Sequence, residues 1–119
     1  AGTSVSLANK EILLFGGDRG ETFSQVEQLL VAIAKTEGKE KEALIQQKNQ
    51  LQINHPGFSQ EILLYNPVSE KFKTIGTLPY PTPVTTTAVL LNNCIVIPSG
   101  EIRAGVRTKN ILMAAIKYK

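Results

Sequence analysis

Residues 4–17, "SVSLANKEILLFGG", and residues 86–100, "TTAVLLNNCIVIPSG", share one layout. Each opens with small and β-branched residues, turns at an Asn, continues as a short apolar run and stops at glycine. Alternation of β-branched and polar residues suits a half-buried strand, and a short apolar run closed by glycine suits a strand buried on both faces. A further apolar run follows each copy, "EILLYNP" at 61–67 and "NILMAAI" at 110–116. Two tandem copies of one antiparallel unit point to propeller blades more than to any other all-β array.

Working outward, the texture changes from Glu21 to about Asn54. Phe23, Val26, Leu30 and Ile33 or Ala34 recur at spacings of three and four, as one face of a helix requires. Gly38 interrupts, and Lys39 to about Leu51 is rich in Ala, Leu, Gln, Lys and Glu, all good helix formers. A helical hairpin inserted between strands is expected, ended by His55-Pro56-Gly57. The chain then returns to β. Glu61–Tyr65 reads as a strand, Asn66–Glu70 as a turn with Pro67 fixing φ, and Lys71–Ile75 as the partner strand. "TLPYPTP" at 77–83 is an irregular connection. Val84–Leu91 and Cys94–Ile97 read as strands around an Asn92-Asn93 turn, and Asn110–Tyr118 is assigned as a strand although its period also permits a helix. The expected fold is mainly β: about two four-stranded antiparallel units with a helical insertion at about 21–52. Residues 1–79 form one blade carrying the insertion (21–54), and 80–119 form the following, incomplete blade.

The totals bound the function. The chain has 119 residues, 42% apolar and 19% charged, with a net charge of +3. This is the composition of one ordinary folded domain, not of a disordered or membrane chain. Lysines are spread rather than striped and aromatics do not interleave with them, so no nucleic-acid partner is expected. No apolar run approaches the length of a membrane span, and "AGTSVSLANK" lacks the layout of a signal peptide, so no membrane partner is expected. Cys94 is the single cysteine, set in an apolar strand, where a buried and inert residue is expected. His55 is the single histidine, without carboxylate or thiol neighbours at ligand spacing, so no metal and no cofactor is expected.

The stretch "SGEIRAGVRT" at 99–108 stands out, because a plain β-turn needs neither a carboxylate nor two guanidiniums. Solvated hairpin loops do carry such residues, and Glu101 with Arg107 would then be a surface ion pair contributing about 0–1 kcal/mol. The charged "GGDRGE" at 16–21 is not a phosphate loop, since no Gly-Lys-Ser/Thr follows; Arg19 is a candidate for a channel rim.

These residues resemble a known family. The diglycine strand "ILLFGG" and the turn strand in "LLYNPVSEKFKTIGTLP" resemble the kelch repeat, with Phe72 where kelch blades usually carry Trp. The closer similarity is to the sialic acid mutarotases, the N-acetylneuraminate epimerases and their cyclically permuted relatives. A helical insertion after the diglycine, a kelch hairpin after it, and a Gly-Glu-x-x-x-Gly-x-Arg-Thr loop in the next blade carry that similarity. The loop is matched by Gly100, Glu101, Gly105, Arg107 and Thr108, with Ala104 where the family commonly has proline. The resemblance implies a six-bladed propeller of which this sequence holds about two blades. Remaining blades, or self-association, are then expected against its flanks. It implies a sugar-acid substrate, a periplasmic setting and mutarotase chemistry. Glu101 would accept the anomeric hydroxyl proton and Arg107 would bind the sugar carboxylate through two parallel hydrogen bonds. Gly100 and Gly105 would let backbone approach the ligand, and Arg103 would play a supporting part. The alternative is a non-catalytic kelch module that binds proteins, since fold does not fix function.

Overall fold

The computed structural model describes residues 2–117. Two sheets pack face to face, and each is built from one of the two sequence copies. The first holds β1 (Thr3–Ser6), β2 (Ile12–Phe15), β3 (Glu61–Asn66) and β4 (Lys71–Thr77) in the order β1-β2-β3-β4. A helical hairpin, α1 (Glu21–Ala34) and α2 (Gly38–Ile53), is inserted between β2 and β3. The second sheet holds β5 (Val89–Leu91), β6 (Cys94–Pro98) and β9 (Ile111–Ala115), with a small ribbon of β7 (Glu101–Arg103) and β8 (Val106–Arg107) inserted between β6 and β9. All pairings are antiparallel.

Short turns set these registers. Asn66 Oδ1 accepts the amides of Val68 and Ser69 at 2.9 and 3.2 Å, closing the turn that Pro67 preorganises. Across the resulting hairpin Tyr65 faces Phe72, with ring centroids 4.7 Å apart, a favourable cross-strand pair. The core lies between the sheets. Val5, Leu13 and Phe15 meet Ala88, Ile95 and Ile97, with Leu78 of the connecting segment beside them. Thr3 Oγ1 accepts the Ala88 amide at 2.8 Å and so stitches β1 to the segment that leads into β5.

Five expectations need correction. β2 and β6 are not buried on both faces: Leu13, Phe15, Ile95 and Ile97 are buried, while Ile12, Leu14, Cys94 and Val96 are half-buried. Side chains alternate between faces, and only one face of each sheet meets the other sheet. Cys94 consequently stands half-buried on the uncovered face. The expected strand Val84–Leu91 is short, because Thr85 has φ 53° and turns the chain out of β geometry, leaving Val89–Leu91 as strand and Val84 in an isolated bridge to Glu101. The expected loop 99–108 is in fact ordered as the β7–β8 ribbon. β9 ends at Ala115 rather than near Tyr118, which lies outside the described residues. The second sheet therefore has three strands among the described residues, against four in the first.

Candidate functional site

β2 and β6 are equivalent strands of the two sheets, so their exits lie on the same edge. The helical hairpin leaves from one and the β7–β8 ribbon from the other. Where they meet, a cleft of about 660 Å³ opens, within the usual range for small-molecule sites. It is lined by Phe23, Val26 and Leu30 of α1, by Glu101, Ala104 and Gly105 of the ribbon, and by Asp18, His55, Phe58, Val84 and Thr85.

Glu101 is fixed at both backbone and side chain. Its amide and carbonyl exchange hydrogen bonds with Val84 at 2.8 Å each. Its Oε1 accepts the Gly105 amide at 2.7 Å, a charge-assisted bond if the carboxylate is ionised. The other oxygen, Oε2, has no hydrogen-bond partner among the described residues and is free to accept a ligand proton. Gly105 has φ 74°, the left-handed conformation that turns its amide back onto Glu101, and nothing crowds the place where a Cβ would stand.

Arg107 is the cross-strand partner of Glu101. Directly opposed residues of an antiparallel pair project to the same face, so the carboxylate and the guanidinium rise from one side of the ribbon. No ion pair joins them: among the described residues the one contact at ion-pair distance is Asp18–His55. Arg107 Nη1 instead donates to Thr85 Oγ1 at 3.2 Å. Arg107 is exposed and is not itself part of the cleft wall, but Thr85 is. Arg103 is also exposed and pairs with Val106, beyond a register shift that separates it from Glu101. Gly100 is buried away from the cleft; a Cβ there would stand 2.7 Å from Pro83 Cβ and 2.8 Å from the Val84 carbonyl oxygen. Arg19 lines the cleft on the insertion side.

Three cleft residues had no signal in the linear sequence. Thr85 takes φ 53°, which is strained for a β-branched residue and is the kind of conformation that collects at functional sites. Asp18 and His55 are 37 positions apart in the chain (55 − 18), yet His55 Nε2 stands 3.6 Å from Asp18 Oδ2. The folding back of the insertion is what joins them. Among the described residues no three His, Cys, Asp or Glu side chains are grouped to hold a metal ion.

The family model for N-acetylneuraminate epimerase matches residues 1–119. The chain belongs to the N-acetylneuraminate epimerase family. Among solved structures, the structure of YjhT is similar to 96% of this epimerase-family chain, with a TM-score of 0.76 and 16% sequence identity. At that identity the likeness is one of fold, and it makes the two sheets blades of the kelch β-propeller type. The chain spans 33% of the length of that structure. No curated protein sequence matches the chain. No helix among the described residues is long and apolar enough to cross a membrane.

Proposed function

We propose that the intact protein is a mutarotase that interconverts the anomers of N-acetylneuraminate or a closely related sugar acid, with Glu101 as its proton acceptor. Family membership supports the reaction class. The observation that carries the residue assignment is the pairing of Glu101 and Arg107 on one face of the ribbon, with one carboxylate oxygen tethered by Gly105 and the other free.

Ring opening breaks the bond between the anomeric carbon and the ring oxygen. The anomeric hydroxyl passes its proton to Glu101 Oε2 and becomes the carbonyl oxygen. A solvent water protonates the ring oxygen, which becomes a hydroxyl, and the hydroxide left behind takes the proton back from Glu101. Rotation about the bond to the carbonyl carbon presents its other face, and the reverse transfers close the ring as the opposite anomer. The tether on Oε1 holds Oε2 in one direction, so little ordering is left for the reactive complex. Arg107, released from Thr85, would take the sugar carboxylate in two parallel hydrogen bonds and fix which carbon faces Glu101. The apolar α1 wall would meet the acyl and ring-carbon surface of the sugar.

The remaining blades of the propeller, or a second copy of the chain, would cover the open sheet faces and complete the mouth of the channel. The periplasmic setting implied by the resemblance belongs to the same reading; fractionation of the native host tests it. A protein-binding role without catalysis remains the second reading, favoured by the exposed Phe23, Leu30 and Val31 of α1. Proton NMR of freshly dissolved sialic acid anomers separates the two. The full-length protein is expected to speed equilibration, and Glu101→Gln to lower kcat by roughly 10²-fold or more. A wild-type rate equal to that of buffer removes the enzymatic reading; full activity in Glu101→Gln removes the base.

A further inference from the structure

We infer that His55 is a positioning residue for Glu101, acting through Gly57, an inference that rests on the reading of Glu101 as the base. The side chain of His55 is 5% exposed although the insertion it terminates has no buried residue in either helix. Burial of a lone imidazole at the stem of a solvent-exposed hairpin calls for a reason, and its contacts supply one.

Nδ1 of His55 accepts the Gly57 amide at 3.0 Å. That nitrogen therefore carries the lone pair, and the neutral ring keeps its proton on Nε2. Nε2 faces Asp18 Oδ2 at 3.6 Å, longer than a hydrogen bond but an oriented attraction. Asp18 is itself fixed, because its Oδ1 accepts the Gly20 amide at 2.9 Å. Phe58 closes the ring from one side, with centroids 5.0 Å apart. The imidazole thus ties the entry of the insertion to its exit, and the Ser59 amide bonded to the Gly17 carbonyl at 2.9 Å closes the same stem.

The exit lies beside the residue that follows the base. Gly57 has φ 92°, and a Cβ built on it would stand 3.2 Å from the Ile102 carbonyl oxygen. Ile102 follows Glu101 and sits at the register shift of the ribbon. The backbone of Glu101 is held by Val84, and the next carbonyl lies beside Gly57, close enough that a methyl group there would touch it. A shift of Gly57, once its amide loses the imidazole acceptor, alters that contact. The direction of Oε2 moves with it, whereas Arg107 stands on the opposite strand of the ribbon and makes no contact with Gly57 among the described residues. The expected signature is a fall in kcat with little change in KM.

The test uses the full-length protein and three substitutions. Asn places Oδ1 near the position of Nδ1 and keeps an acceptor for Gly57; Gln places its polar end near Nε2 and does not; Leu keeps neither. His55→Gln and His55→Leu are expected to lose tenfold or more in kcat for anomer equilibration, with KM within about twofold. His55→Asn is expected to recover most of the rate. Amide hydrogen exchange at Gly57 is expected to quicken in the Gln and Leu proteins and not in the Asn protein. Equal losses in all three, or an unchanged kcat in a folded His55→Gln protein, would overturn the inference. If the Leu protein does not fold, the Asn and Gln pair decides. If Glu101→Gln keeps full activity, it is the assignment of the base that fails, and the exchange measurement still reports on the Gly57 contact.

Discussion

Gly100 and Gly105 flank the same ribbon and answer to different constraints. Both carry positive φ, but Gly100 is pressed between Pro83, Val84 and Thr86, whereas Gly105 faces open space. A methyl group at Gly100 would add overlap to backbone strain. Gly100→Ala is therefore expected to destabilise by about 2–4 kcal/mol, and Gly105→Ala by only about 1–2 kcal/mol. Urea unfolding of the two proteins checks the order; equal losses would contradict the packing described for Gly100. In the sequence both glycines read as places for backbone to approach a ligand, because spacing alone does not distinguish a glycine that packs from one that opens. Glu101 and Arg107 were legible as a pair, since they share one short motif. Asp18, His55 and Thr85 were not: the first two meet only through the fold of the insertion, and nothing in Thr-Thr-Thr marks the one residue forced into the left-handed region.

The helical hairpin shows the difference between an element and the use of its surface. Its two helices were legible from the 3.6-residue period and from the run of good helix formers. The apolar stripe at Phe23, Val26 and Leu30 suggests a packed face, yet Phe23 is 69% and Leu30 43% exposed, and the stripe forms a wall of the cleft. Periodicity reports that a helix has an apolar face, not what covers it. The consequence is measurable. Leu30→Ala is expected to cost less than about 1 kcal/mol of stability, because little area returns to water. Ile97→Ala, at 3% exposure between the sheets, is expected to cost about 2–5 kcal/mol. Under the mutarotase reading Leu30→Ala also raises KM while kcat holds, as loss of uniform substrate binding should. A Leu30→Ala protein as unstable as Ile97→Ala would mean that the stripe is packed in solution.

At the scale of the whole molecule, two blades leave surface that a ring would cover, and the register shows where. Val89 pairs with Val96 and Val96 with Met113; Leu91 pairs with Cys94 and Cys94 with Ala115; Pro98 pairs with Ile111. Partners and alternate residues share a face, so Val89, Leu91, Cys94, Val96, Ile111, Met113 and Ala115 form one apolar surface, on the side of the second sheet away from the core. Leu91, Ile111 and Met113 are 58%, 62% and 69% exposed. The edges differ as well. β4 carries Lys71 and Lys73, charges that discourage further strand pairing, whereas β9 reads Ile-Leu-Met-Ala-Ala and carries none. An uncharged edge beside a broad apolar face is a surface for association. The 119-residue chain on its own is therefore expected to associate in a concentration-dependent way, and sedimentation velocity measures it. Ile111→Lys with Met113→Lys puts two charges on that face without touching the core side, where Leu112 packs. The double variant should sediment as a monomer with an unchanged circular dichroism spectrum. Association that persists in it would move the contact to the α1 stripe, where Phe23→Lys becomes the substitution that abolishes it.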